Sequence, residues 1–588
     1  MAARSNGLAE WGQYADDGIM SEEDQRLVDV TMREFAEAQL WRNTFAGQWE
    51  EIAQLIDTNS RNSFFYASYN WPGQKKTDRQ IDATAMLAWT RFKAILDSLL
   101  TPRNMLWHVL ESQDEEVMGD RESRLWFEKA TRILFNQRYA PIANFANQNQ
   151  LVYGSLGAYG TGGMFVDQAV NDWNVPIPQL RYKGIPLGEL FIFENHQGRI
   201  DKVIRWFRLT PRQAIQKWGI ENVPPRIAAL ADGKSEEPMN FLHRVAPNSD
   251  YEPWRLDRKG KPYSSTYVSI EGRKVMQKGG YTSFPYAVPR YDRSTPNEVY
   301  GRSPAMLVLP SIKTLNAQKS VHLKVGHRAG DPVLLTADDG LVDEHLRPGA
   351  IVKGGVNMDG RLLIQPLPAG NVQITEKMME MEQALQKDAF LVSLFQILEE
   401  SPQMTATEVI ERVNEKGILI APAVGGLQSD YLGPMIEREM DLLMFMRVLP
   451  PLPPLLRKKK GEYNVLYTSP LARQQRAQEV AGFQRTVQFA TELIGVTQDP
   501  SPLDNFDFDT ALIETARIQG VAESWFADPK LVQLKRKNRA EAQEAAQQAQ
   551  AMPAQAAMMK AQAATMQQGD QAGMAPMQQP TPIGAQPK

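Results

Sequence analysis

The sequence predicts an α+β fold that is predominantly α-helical, and three features of the chain support this class. Apolar residues recur every three or four positions over much of the chain, which is typical of amphipathic helices. Between about residues 164 and 291 the period falls to two, which indicates antiparallel strands. The 588 residues, of which 43% are hydrophobic and 23% charged, are enough for about four domain-sized units.

The N-terminal part of the chain is predicted to be helical. A first helix begins at Ser21, which starts a sequence similar to a capping box. A second begins near Asp78 and ends at Thr101, because the residue before a proline avoids helical torsions. Two more helices over about 121–138 and 141–152 precede a glycine-rich segment, 154–163, where we expect turns.

The β-rich block is predicted to contain two hairpins. One has its turn at 195–198 and the other at Glu271-Gly272, and both turns are flanked by alternating apolar and polar residues. Thr210-Pro211 opens a short helix that Gly219 closes, the order of residues that helix ends prefer. This part of the chain is therefore mixed rather than purely β.

Two long helices separated by a compact insert follow the β-rich block. The first spans 303–325, with Ser303 as its N-cap. The insert, 326–370, is rich in glycine, proline and strand-forming residues. The second helix spans 371–398, and at 1.5 Å per residue it forms a rod of roughly 40 Å. One face of this rod carries an apolar packing seam, made of Met378, Met381, Leu385, Val392 and Phe395.

The remainder of the chain returns to helix after a proline-containing segment. Helices are expected within 405–469 and 470–538. Residues 539–588 are rich in Gln, Ala and Met and contain no aromatic residue, so they bury too little apolar area to offset the entropy of ordering. We expect this tail to be disordered in the free protein or helical within an assembly.

Composition and motifs argue against most enzyme classes. The absence of cysteine excludes disulfides, thiolate nucleophiles and cysteine-ligated metal sites. No phosphate-binding G-x-x-x-x-G-K-[ST] or zinc-binding H-E-x-x-H motif occurs. We therefore predict no catalytic residue, metal or cofactor, and no enzymatic activity. No apolar run reaches the length of a membrane span, so we also expect no contact with a membrane.

The charge balance limits the ways in which the chain can contact nucleic acid. With 65 Lys and Arg against 69 Asp and Glu, the formal net charge of −4 argues against binding through bulk positive charge. A thin polar stripe, which includes Lys313, Lys324 and His327, follows one face of the first long helix. This stripe faces either a lumen or the surrounding water.

The order of elements, together with four short motifs, resembles the portal proteins, or head-to-tail connectors, of short-tailed, T7-like bacteriophages. The likeness extends along the chain to about residue 530, so its weight comes from spacing rather than from any single motif. The segments that carry it are 100–110 (LTPRNMLWHVL), 205–211 (RWFRLTP), 300–305 with 309–316 (YGRSPA and LPSIKTLN) and 404–409 (MTATEV).

This resemblance implies a ring, commonly of twelve subunits, at one vertex of a capsid, through which double-stranded DNA is packaged and later ejected. The regions that it implies are a wing (1–302 and 405–469), a stem of two helices (303–325 and 371–398), a clip (326–370), a tunnel loop (399–404), a crown (470–538) and the tail (539–588). The residues that it places near DNA are Lys313, Lys324, His327, Glu399, Glu400 and Gln403.

The resemblance also implies partners and a location. The partners are other copies of the chain, the packaging terminase, tail adaptor and tail proteins, and the major capsid and scaffolding proteins. The location is the portal vertex of the virion, with host cytoplasm as the site of assembly.

Two other functions stay open at the level of sequence. A virion-associated enzyme that processes DNA or cell wall would need converging acidic side chains, which no motif in the chain indicates. An internal helical scaffold protein would account for the Gln-, Ala- and Met-rich tail. It would leave the β-rich block and the insert between the two long helices unexplained.

Overall fold

The computed structural model describes most of the chain. It forms two compact units, Met1–Gln519 and Gly520–Lys588, and in the second unit residues 530–545 are helical. The described residues are 21–64, 76–296, 298–331, 334–336, 356, 358–362, 364–367, 372–393, 424–459, 461–468, 470–497, 501–518, 521, 525–528, 530–545 and 558–561.

Helices and strands both occur in the first unit, with helix predominant, which confirms the predicted class. The described helices are α1 (Glu22–Leu55), α2 (Thr84–Leu100), α3 (Glu115–Gly119), α4 (Arg121–Arg138), α5 (Phe145–Tyr159), α6 (Pro211–Trp218), α7 (Pro225–Asp232), α8 (Pro304–Gly330), α9 (Val372–Ala389), α10 (Gly433–Phe445), α11 (Pro454–Lys458), α12 (Pro470–Thr497) and α13 (Phe508–Ile518).

The described strands pair antiparallel in four sheets. They are β1 (His108–Glu111), β2 (Met164–Val170), β3 (Pro176–Gly184), β4 (Leu190–Glu194), β5 (Ile200–Leu209), β6 (Met239–Pro247), β7 (Tyr263–Ser269), β8 (Lys274–Tyr281), β9 (Tyr286–Ala287), β10 (Leu334–Thr336), β11 (Ile364–Pro366) and β12 (Asn464–Tyr467). The sheet orders are β3-β2-β9, β4-β5-β6-β7-β8, β1-β12 and β10-β11.

The helix ends confirm most of the predicted capping but correct one segment. Ser21 caps α1 by accepting a hydrogen bond from the backbone N–H of Asp24 at 3.2 Å. The expectation of turns throughout 154–163 was wrong, because α5 runs to Tyr159 and contains Gly154 and Gly157. A Cβ atom at Gly157 would lie 2.7 Å from the Phe92 ring on α2, so glycine here permits close helix packing rather than a turn.

The two predicted hairpins are confirmed, and they belong to the five-stranded sheet. β4 pairs with β5 and β7 pairs with β8. Because side chains alternate across a strand, the sheet has two apolar faces. One face packs on α1, where Phe35 contacts Phe191 and belongs to one buried cluster with Ile204 and Leu242. The other packs on α6 and α7 through Phe207 and other buried side chains.

Helix α10 returns to the N-terminal part of the fold through a buried ion pair. Arg138 on α4 and Glu439 on α10 have side chains with no exposed surface, and Arg138 Nε donates to Glu439 Oε1 at 3.1 Å. The hydroxyl of Tyr182 on β3 donates to the same carboxylate at 2.6 Å. Burial opposes the charge of Arg138, but the Glu439 carboxylate outweighs this effect and raises the pKa of Arg138. Three distant segments therefore meet at one charged centre.

Two features of the second half of the chain refine the predicted boundaries. α8 extends to Gly330, beyond the predicted end at residue 325. α9 ends at Ala389. Leu391 interrupts the helix with a φ of 61°, which a right-handed helix does not accommodate, and Val392 and Ser393 are helical again. The predicted end at residue 398 lies outside the described residues. Within the described part of the insert, β10 pairs with β11, as the strand-rich composition of that segment predicts.

We predict that Glu439→Gln lowers the free energy of unfolding by about 3–5 kcal/mol, because it leaves the Arg138 guanidinium buried without a counter-charge. Urea denaturation followed by circular dichroism measures this change. Glu437→Gln, at an exposed position of the same helix, is the matched control and should change stability by less than about 0.5 kcal/mol. Equal losses in the two variants would contradict the role assigned to the ion pair.

Candidate channel and assembly surfaces

The base of α8 is anchored to the folded body by a tight backbone crossing. Gly160, with a φ of 78°, lies against Gly301, and a Cβ atom at Gly160 would be 2.4 Å from the Gly301 carbonyl oxygen. Ser303 caps α8 by accepting from the Met306 N–H at 3.0 Å, and its hydroxyl donates to the Ala158 carbonyl at 2.8 Å. The direction in which α8 leaves the body is thereby fixed.

A second anchor joins α8 to the start of α2. The Asn316 amide accepts hydrogen bonds from the backbone N–H groups of Ile81 at 2.8 Å and Asp82 at 3.0 Å, and donates to the Arg79 carbonyl at 2.9 Å. The Asp82 carboxylate accepts from the Thr84 N–H and from Lys319 Nζ, both at 2.8 Å. These contacts involve one face of α8 only as far as Lys319.

Helices α8 and α9 pack on each other along a partly polar contact. Gln386 of α9 is fully buried, and its amide donates to the Ser311 hydroxyl of α8 at 3.3 Å. Met379 of α9 is also buried. Leu315 is the last buried residue of α8, and every residue from there to Gly330 is partly or fully exposed. The distal half of α8 therefore carries a surface that the described part of the chain leaves open.

The predicted packing seam divides into an open part and a buried part. Met378, Met381 and Leu385 are 50%, 63% and 52% exposed, whereas Val392 is buried. Phe395 lies outside the described residues. The open part of the seam thus differs from the face that contacts α8, which contains Gln386. Sequence periodicity missed Gln386 because a polar residue does not stand out in an apolar stripe.

The open apolar stripe of α9 has a counterpart on α8. Val321 and Leu323 on the distal half of α8 are 51% and 47% exposed. We call Met378, Met381 and Leu385, together with these two residues, the open stem surface. Exposed apolar side chains of this kind are typical of surfaces through which proteins associate.

The residues predicted to lie near DNA fall in different environments. Lys313 is half-exposed and forms an ion pair with Glu51 of α1, so its charge is locally compensated. Lys324 and His327 lie on the exposed distal half of α8, and no ion pair joins them to another described residue. Glu399, Glu400 and Gln403 lie outside the described residues. The position of these six residues near DNA stays a prediction.

The part of the chain that the structure describes holds no set of three His, Asp or Glu side chains close enough to bind a metal ion. None of its helices combines the length and the apolar character that a membrane span requires.

Asp82 supplies the negative charge in the contact between α8 and α2. Its burial would raise the pKa of the carboxyl group, but hydrogen bonds from Lys319 and Thr84 outweigh burial and hold the pKa below its usual value. A depressed pKa means that the ionised carboxylate stabilises the fold above the pKa of an unfolded aspartate, about 3.9, and that this contribution is lost as the pH falls through the folded pKa.

We predict that Asp82→Asn lowers the free energy of unfolding by about 1–2 kcal/mol at pH 7, because it removes a charged partner of Lys319 and weakens the start of α2. The difference from the native protein should shrink as the pH falls below about 4. Urea denaturation between pH 3 and 7, at one fixed protein concentration, measures it. Asp172→Asn, at an exposed turn, controls for loss of a carboxylate. A difference that grows towards low pH would contradict this assignment.

Comparison with known proteins relates this geometry to a family. The sequence profile of the family described as "Bacteriophage head to tail connecting protein" matches residues 31–527. A protein named "Portal protein" from Salmonella phage epsilon15 is 26% identical over 529 residues, which cover 88% of this chain and 92% of the relative. A "Probable portal protein" from Bordetella phage BPP-1 is 26% identical over 551 residues, which cover 90% of this chain and 94% of the relative. Since the profile spans well over half of its length, the chain belongs to the bacteriophage head-to-tail connecting proteins.

Proposed function

We propose that this chain is the subunit of a phage portal, a ring at one capsid vertex through which double-stranded DNA is packaged and ejected. Family membership and the names of the two relatives support a portal function. A ring of twelve copies, in which α8 and α9 of every subunit contribute to the channel wall, is our specific proposal for the assembly.

The open stem surface is the observation that carries this proposal. Five apolar side chains of α8 and α9 are about half exposed on the single chain. Fully burying such a side chain contributes about 1.5–3 kcal/mol, so covering these half-exposed ones contributes about 1 kcal/mol each. In a closed ring, the open stem surface of each copy contacts a different surface of the next copy. Because the ring closes on itself, the stripe of every subunit is covered.

We assign the regions of the chain by this proposal. Residues 1–302 and 405–469 form the wing, and the ion pair between Arg138 and Glu439 joins these two parts in the fold. The stem consists of 303–325 and 371–398, the clip is 326–370, and 399–404 is the tunnel loop. Residues 470–538 form the crown, and 539–588 form the tail.

The partners follow from these regions. The clip docks the packaging terminase and later the tail adaptors, while the wing meets the major capsid and scaffolding proteins. The assembled protein resides at the portal vertex of the virion, after assembly in the host cytoplasm. The chain is a structural conduit, and a separate motor supplies the energy of packaging.

The charges of the stem suit a conduit that lets DNA slide. Each phosphate that a protein neutralises adds salt-dependent affinity, and tight contacts would slow transit. Lys313 is already paired with Glu51, and twelve copies of a chain of charge −4 carry about −48 in total. Any attraction to DNA within the channel is then local, and Lys324 and His327 are our candidates for it.

Native mass spectrometry of the full-length protein tests this function. We expect a closed oligomer of one stoichiometry, twelve on our proposal. A homogeneous monomer over a range of protein and salt concentrations would contradict the portal assignment.

We predict that Leu385→Asp prevents assembly while the subunit stays folded, because it places a charge in the open stem surface, where a neighbouring copy would bury it. The association constant should fall at least tenfold, as measured by analytical ultracentrifugation, with circular dichroism reporting the fold. Ala384→Asp, which adds the same charge at the adjacent exposed position outside the stripe, should still assemble. Normal assembly of Leu385→Asp would show that this surface is not an interface.

A further inference from the structure

Three basic side chains of the β-rich block take no part in the proposed channel. Arg181 and Lys183 lie on β3, which is the edge strand of its sheet, and Lys217 lies near the end of α6. Arg181 and Lys183 occupy alternate positions of the strand, so they share one face. All three residues are exposed. We call them the basic patch.

Aromatic rings hold the ammonium group of Lys217 in place. Its Nζ atom lies 4.0 Å from the ring centroid of Tyr267, 4.7 Å from that of Trp218 and 5.2 Å from that of Phe207. Trp218 and Phe207 are themselves buried, so this platform belongs to the core of the sheet. The charge is therefore fixed at one position rather than carried on a freely moving side chain.

The same local structure ties α6 to the hairpin that carries the other two basic residues. The turn between β2 and β3 contacts α6 directly, because the Asn174 amide donates to the Lys217 carbonyl at 3.2 Å. The Arg181 guanidinium donates to the Ile142 carbonyl at 2.6 Å. The basic patch is thus presented by a rigid part of the fold.

The acidic residues Asp167 and Glu189 act electrostatically on Lys217 and Lys183, respectively. No ion pair joins Arg181, Lys183 or Lys217 to another residue that the structure describes. Two carboxylates of the surrounding strands are already engaged, Glu189 with Arg205 at 2.8 Å and Asp167 with Arg438 at 3.3 Å. The patch therefore presents a surplus of positive charge on a chain whose net charge is negative.

Burial and neighbouring positive charges both lower the pKa values of the two lysines. The Lys217 residue as a whole is exposed, but its ammonium lies against the rings, and this burial lowers the pKa of Lys217 to about 7, with the charges of Arg205 and Lys183 adding to the effect. Burial also lowers the pKa of Lys183 to about 8, and Arg205 again contributes. An anion bound at the patch would relieve this repulsion.

We propose that the basic patch binds the phosphate backbone of DNA at a surface separate from the stem helices. Arg181 and Lys183 are about 6.8 Å apart along β3, since two residues of an antiparallel strand advance by that distance. Two nucleotide steps of one DNA strand advance by about the same distance. The patch presents positive charges, and its aromatic rings are occupied by Lys217 and so are not available to stack on DNA bases. This arrangement suits contact with phosphates rather than recognition of a base sequence.

This inference rests on the proposed function only in naming DNA as the ligand. The test measures binding of closed circular duplex DNA to the full-length protein over a range of salt concentrations. Circular DNA cannot thread through a ring, so binding reports outer surfaces alone.

We expect Lys183→Ala and Lys217→Ala each to weaken binding about eightfold at 0.1 M salt, and each to reduce the slope of log affinity against log salt by about 1. Lys217→Arg should retain the slope. Lys129→Ala, at an exposed position of α4, is the matched control and should change neither quantity. Circular dichroism checks the fold of each variant. If Lys217→Ala disturbs the packing of the aromatic rings, Lys183→Ala still tests the patch, because none of the cation–π contacts of those rings in the described part of the chain involves Lys183.

Unchanged slopes in both alanine variants would overturn the proposal. Polyglutamate that binds in place of DNA, with the same dependence on the two lysines, would assign the patch to an acidic polypeptide and would overturn it as well. Native mass spectra of the same samples distinguish a failure of this inference from a failure of the portal function. If rings form but the patch variants bind DNA as the native protein does, only the inference is rejected. If the protein stays monomeric, the portal function is rejected, and the variants still show whether the patch binds DNA.

Discussion

One apolar stripe of α9 stays exposed on the single chain, and the proposed assembly depends on this constraint. An apolar helix face is stable when another element covers it. α8 covers the face that contains Gln386, whereas Met378, Met381 and Leu385 are about half exposed. Exposed apolar area of this kind favours association, which is why we propose that the chain functions as a subunit of a ring.

The fold prepares this surface by treating the base and the shaft of the helix pair differently. At the base, contacts are polar, buried and directional, through the crossing of Gly160 and Gly301 and the hydrogen bonds of Asn316. Along the rest of the helix pair, exposed apolar side chains such as Met381 and Val321 lie among polar ones such as Lys324. A rigid base and an exposed apolar face suit the subunit of the proposed ring, because small errors in the angle between neighbouring subunits would prevent the ring from closing.

Sequence patterns predicted local features well and long-range ones poorly. Caps and hairpin turns depend on neighbouring residues, so Ser21, Ser303 and the turn at 195–198 were predictable. Gly157 was misread because its role is set by Phe92 on another helix. The partners Arg138 and Glu439 are 301 positions apart and no local pattern links them. The open stem surface was half predicted, since periodicity identifies a stripe but not the element that covers it.

Cryo-electron microscopy of the purified oligomer shows directly whether the exposed stripe of α9 is an interface between subunits. We predict end-on views of a closed ring with a central opening, and a reconstruction in which the next subunit covers Leu385. Separate globular particles, or rings with filled centres, would contradict it.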